Sequence, residues 1–124
     1  MKKIFEFLLL PVFLAGCTSI TNLAPSRCVR DPSGYCRVEA QWRTHRQVVR
    51  PDSIKPLVVV GFDTYPMRPV AVVQDRWEGY IPIPKDKDTI YYHYKFDFME
   101  DAFGKPRPNS LMSRDYKMRI LEQK

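Results

Sequence analysis

The run from Arg76 to Met99 constrains this chain most, because side-chain character alternates there with a period of two for longer than anywhere else. Tyr92, Tyr94, Phe96 and Phe98 fall on one face and Tyr91, His93, Lys95 and Asp97 on the other, which is the pattern of a half-buried strand. In the preceding run Trp77, Gly79, Ile81 and Ile83 fall together, opposite Glu78, Tyr80 and Pro82. The polar turn Lys85-Asp86-Lys87-Asp88 lies between them, so the stretch predicts a β-hairpin whose aromatic and aliphatic residues stack across one surface.

Other segments follow the same period. Arg37 to Arg43 alternates with Val38, Ala40 and Trp42 inward, and Tyr116 to Leu121 alternates as a last strand. Leu57 to Phe62 is a continuous apolar run, β-branched in its middle, which suits a strand buried on both faces, and Gly61 suggests a bulge. Tyr65 to Pro69 bends the chain, and Val70 to Val73 is expected to resume as a short strand. Residues 44–55 and 100–114 are polar or crowded with breakers, and are expected to be connections. No stretch sustains a 3.6-residue period, and 11 prolines in 124 residues exceed the usual level of about 5%. Trp42, Trp77, Tyr94 and Phe96 are expected to pack together in the core.

Six or seven short strands punctuated by Pro and Gly indicate an all-β fold, an immunoglobulin-like two-sheet sandwich over residues 28–121, with an open β-barrel as the alternative. The runs Trp77 to Pro84 and Tyr92 to Phe96 also resemble early-set immunoglobulin-like domains, a group that includes glycogen- and starch-binding modules.

The beginning of the chain carries an address. Met1-Lys2-Lys3 opens a basic region that runs to Glu6, Phe7 to Leu14 is apolar, and Leu14-Ala15-Gly16-Cys17 ends it with small residues before a cysteine. This resembles the lipobox of bacterial lipoproteins. The resemblance implies a signal peptide over residues 1–16, cleaved before Cys17, and acyl chains on Cys17 that hold the protein on a membrane. The apolar run is too short for a span, which needs about 20 residues. Residues 17–27, rich in Thr, Ser, Asn and Pro, are expected to form a lipidated tether. Thr18 stands where retention signals usually place Asp, so an outer membrane is favoured if the organism has one.

The charge of the whole chain is +6, and without Lys2, Lys3 and Glu6 it is 18 basic against 13 acidic, or +5. In an exported protein the electrostatic partner is an anionic lipid or polysaccharide surface and no nucleic acid, against the plainer reading of a solvated basic surface. With Cys17 acylated, Cys28 and Cys36 are left as an even pair in an oxidising compartment. The Asp31-Pro32-Ser33-Gly34 turn between them predicts a disulfide.

No Gly-rich phosphate loop, nucleophile elbow or zinc-ligand spacing is present. A metal site would need His45 and His93 with a carboxylate such as Asp97, and a glycosidase pair would need Asp97, Glu100 and Asp101 arranged across a cleft. Neither is expected, nor is a cofactor or a catalytic set. The candidate binding face is Tyr80, Tyr91, His93 and Lys95, an aromatic and polar strip on the outside of the expected hairpin. Docking onto an envelope protein is the first expectation, and binding of an envelope glycan the alternative.

Overall fold

The computed structural model describes residues 20–43 and 49–122; Cys17, with the expected signal peptide over residues 1–16, and His45 lie outside them. Ten strands form two facing sheets. The first has the order β1 (Ile20–Asn22), β3 (Tyr35–Trp42), β7 (Arg76–Pro82), β6 (Arg68–Pro69). The second has the order β2 (Arg27–Val29), β10 (Tyr116–Leu121), β8 (Thr89–Ala102), β4 (Lys55–Val60), β5 (Asp63–Pro66), with β9 (Lys105–Met112) also on β8. In immunoglobulin lettering this is A-B-E-D against G-F-C with an added C′ strand, so the chain is an immunoglobulin-like β-sandwich.

The core lies between the sheets, where the inward residues of β3 and β7 meet those of β4, β8 and β10. Trp42 packs on Phe96 and Phe98 with ring centroids 4.9 and 5.2 Å apart, and half-buried Trp77 meets Phe96 edge-on at 5.3 Å. Tyr92 and Tyr94 are buried beside them. Burial pushes both phenols above their ordinary range. Their hydroxyls are satisfied by Asn22, which donates to the Tyr92 oxygen at 3.1 Å and accepts from Tyr94, whose hydroxyl also lies 3.1 Å from the Glu39 carbonyl.

Several expectations need correction. β7 and β8 do not pair. Both edges of β7 are taken by β3 and β6, so residues 83–88 carry the chain over to the other sheet, and Trp77 meets Phe96 across the core instead of along one surface. The segment expected to be a tether contains β1 and the start of β2. β1 is antiparallel to β3 and supplies Asn22 to the tyrosines, so the folded part reaches back at least to Ile20. Residues 100–114 are no loop: β8 runs on to Ala102 and turns into β9. Pro106 and Pro108 are tolerated there because β9 is an edge strand bonded to β8 alone, so their missing N–H groups face solvent. Val70 to Val73 is a turn, closed by the Val70 N–H on the Arg76 carbonyl at 3.0 Å, and Val72 has φ +72°. β4 buries only one face, Pro56 and Val58, and Gly61 (φ +61°) sits in a two-residue hairpin turn instead of a bulge.

Two devices fix the geometry around the later site. Cys28 and Cys36 are joined, and because β2 and β3 belong to different sheets the disulfide ties the two layers together. The second device is a bulge. β9 pairs with β8 as Lys95↔Met112, whereas β10 pairs as Tyr92↔Tyr116, so one extra residue lies between the two registers. Ser113 repairs the ladder there: its N–H donates to the Tyr94 carbonyl at 2.9 Å, and its Oγ accepts from the Tyr94 N–H at 2.8 Å.

Candidate functional site

The four residues singled out from sequence do not form one strip. Tyr80 lies on β7 and faces outward from the first sheet; Tyr91, His93 and Lys95 lie on β8 and face outward from the second. The two outer faces point in opposite directions, so Tyr80 and Tyr91 stand on opposite sides of the sandwich. Assigning them to one surface followed from the hairpin that does not form.

The two faces differ in kind. Around Tyr80 the first sheet is covered by an ionic lattice. Arg37 reaches Glu78 at 2.7 Å and Glu39 at 2.9 Å, Arg76 lies 3.6 Å from Glu39, and Arg68 lies 3.6 Å from Glu78. The hydrogen bond to Glu78 holds the Arg37 guanidinium above its ordinary range. Each acid there faces two cations, and each of the three arginines has an acidic partner.

The second face is built otherwise. Register places Val59 beside His93, Leu57 and Met112 on either side of Lys95, and Lys117 beside Tyr91. Tyr91 is 64% and Met112 59% exposed, while Leu57 and Val59 are half-buried, so apolar side chains flank His93 and Lys95 on this face. His93 Nδ1 lies 3.3 Å from Asp115, and Lys95 lies 3.6 Å from Asp97. Toward the β2 edge the charge is uncompensated. Arg119 stands directly across from Arg27, with Lys117 two residues away on the same strand, and none of the three has an ionic partner among the described residues. Like charges placed opposite each other in a sheet repel, so an acidic ligand at this edge would relieve that repulsion.

The carboxylates weighed for catalysis are already engaged. Asp97 accepts from Ser110 at 2.6 Å, buried Glu100 accepts from Asn109 at 3.1 Å, and Asp101 pairs with Arg50 at 3.2 Å. Asp97 and Asp101 share one side of β8 and Glu100 the other, so the three do not converge. A shallow depression of about 550 Å³ beside them is lined by Ser53, Lys55, Asp97, Phe98, Met99, Pro108, Asn109 and Ser110, and the ring of Phe98 is buried in the core, where no sugar would stack on it. Among the described residues no group of three His, Cys, Asp or Glu side chains is placed to hold a metal ion.

Sequence reasoning missed Leu57, Val59, Met112, Arg27 and Arg119 as parts of this face. Only strand order brings them beside Tyr91 and Lys95. No protein-family model matches the sequence, and no curated protein matches it. Among solved structures, one described as that of murine CRIg is similar at a TM-score of 0.42 with 14% identity, covering 85% of this chain and 98% of that one.

Proposed function

We propose that this protein is an acylated lipoprotein of the cell envelope whose sandwich docks, without catalysis, onto an acidic surface of another protein. The observation that carries the docking is the asymmetry of the two outer faces: on one each Arg is held by an acid, while the other sets exposed Tyr91 and Met112 with half-buried Leu57 and Val59 beside unpaired Arg27, Lys117 and Arg119. Interfaces need such an apolar core, and complementary charge at the rim speeds association. The glycan alternative relied on Tyr80 and Tyr91 as paired stacking rings, and it loses support because they lie on opposite faces.

The membrane part of the reading rests on the Leu-Ala-Gly-Cys ending after a short apolar run. Two or more acyl chains hold a protein stably where one chain is marginal. Metabolic labelling with a fatty-acid analogue should mark the native chain and not Cys17→Ala; equal labelling of both would remove the anchor. For the docking, a photo-crosslinking residue placed at 91 or 112 in intact cells should yield one dominant adduct, and the same residue at 80 should yield none. Equal adducts from both faces would sink the assignment. Retention on purified envelope glycan that is lost in Tyr91→Ala would favour the sugar instead.

A further inference from the structure

We propose that the tip of the β8–β9 hairpin enters the lipid surface to which Cys17 is attached, with Phe103 at the boundary of headgroups and acyl chains and Lys105 and Arg107 on anionic headgroups; this rests on the acylation proposed above.

The placement follows from the topology. Ile20 pairs with Trp42 at the end of the sandwich from which the hairpin projects, so the chain enters the fold on that side. Only Thr18 and Ser19 separate Ile20 from Cys17, and three backbone steps span at most ~11 Å. A tether that short brings this end of the sandwich against the membrane. Trp42 packs on Phe96 and Phe98, so Ile20 is level with that pair, and Phe103 lies five or more residues further along, at least ~17 Å at the usual rise of a strand. The tip therefore outreaches the acylated residue by at least roughly 6 Å, enough to reach the depth at which interfacial elements lie.

The chemistry of the tip agrees. Phe103 is 99% exposed and has φ +54°, and with Gly104 at +79° it forms the two-residue turn that usually takes Asn-Gly. A phenylalanine there is unfavourable to the fold and buries nothing within it. Lys105 and Arg107 have no ionic partner among the described residues, whereas Asp101 is neutralised by Arg50. The other fully exposed apolar side chains have acidic neighbours. Val72 lies at the same end of the sandwich, in the β6–β7 turn, with Asp75 three residues on, and Phe62 stands beside Asp63 at the opposite end. Of the three tips, only the hairpin combines an apolar residue with unpaired cations.

The test uses the full chain in its acylated form, reconstituted into vesicles of phosphatidylcholine with phosphatidylglycerol, carrying Phe103→Trp or, as control, Phe62→Trp. The emission added at position 103 should shift to the blue and be lost when the acyl chains are brominated, and the emission added at position 62 should be quenched by aqueous iodide. Replacing Lys105 and Arg107 by Gln in the Phe103→Trp chain should weaken the bromine quenching. Protein that floats with the vesicles while position 103 is quenched by iodide as readily as position 62 would overturn the insertion and leave the anchor standing. A native chain that carries no acyl group overturns both, since nothing then fixes which end faces the membrane.

Discussion

Residues 90–98 and 99–102 belong to one strand, β8, and rest on different supports. The first part faces another sheet, and Tyr92, Tyr94, Phe96 and Phe98 are buried against it. The second part has outrun the sandwich and leans on β9 and on the segment around the 3-10 turn Pro51–Ser53. It is held by polar contacts: the Met99 N–H donates to Ser53 Oγ at 2.9 Å, the Arg50 N–H to the Met99 carbonyl at 2.9 Å, and Asp101 pairs with Arg50. A strand's stability thus comes from what lies opposite it. Exposed ion pairs contribute about 1 kcal/mol or less, and buried rings several times as much.

The contrast is tested most severely at Phe96. Truncation to Ala should cost about 3 to 5 kcal/mol in urea unfolding, and a loss under about 1 kcal/mol would mean that the sandwich half is no firmer than the hairpin. Removing the disulfide by Cys28→Ala with Cys36→Ala should cost roughly 2.5 kcal/mol, the chain-entropy value for the nine-residue loop, with the hairpin's amide exchange unchanged relative to global unfolding. A third measurement uses alkali. Tyr92 and Tyr94 keep their protons in the native state at a pH where the unfolded chain, near its ordinary value of 10.0, releases them. The unfolded state then binds fewer protons, so stability is level below pH 10 and falls above it, by up to about 1.4 kcal/mol per pH unit for each ring. Tyr94→Phe should flatten that fall, and since residues 98–112 contain no tyrosine the hairpin adds nothing to it. The smallest effect belongs to the tip: Phe103→Asn should leave thermal stability unchanged or raise it by less than about 1 kcal/mol, because Asn suits the left-handed turn better. A clear loss would show that the ring packs on something.

What was legible in the sequence follows the same division. Alternation from Tyr91 to Phe98 gave the inward and outward faces correctly, because a facing sheet enforces the period. It did not give the partner. β7 has one apolar face as well, and two such strands fit side by side or across a core equally well by pattern alone. That ambiguity is why Tyr80 was placed with Tyr91. β9 was illegible because an edge strand beyond the sandwich has no apolar face to mark it, and its prolines imitate a loop. β1 is three residues long, shorter than any period can reveal. The Cys28–Cys36 bridge was readable because the Asp-Pro-Ser-Gly turn is local: Gly34 has φ +77°, and its N–H donates to the Asp31 carbonyl at 3.1 Å.

The parallel pairing of β2 with β10 sets an order of events. Arg27 lies opposite Arg119, 92 residues later, so β2 is made well before the strand that pairs with it. Closing so long a loop directly is entropically slow, and contacts of this kind are those that lengthen folding times. The nine-residue disulfide loop needs none of that wait. Oxidation fixes β2 against β3 as soon as both cysteines are present, and β10 then adds to an edge already in place. Refolding from the reduced state should be slower than from the oxidised state, with the delay in the phase that protects the β10 amides.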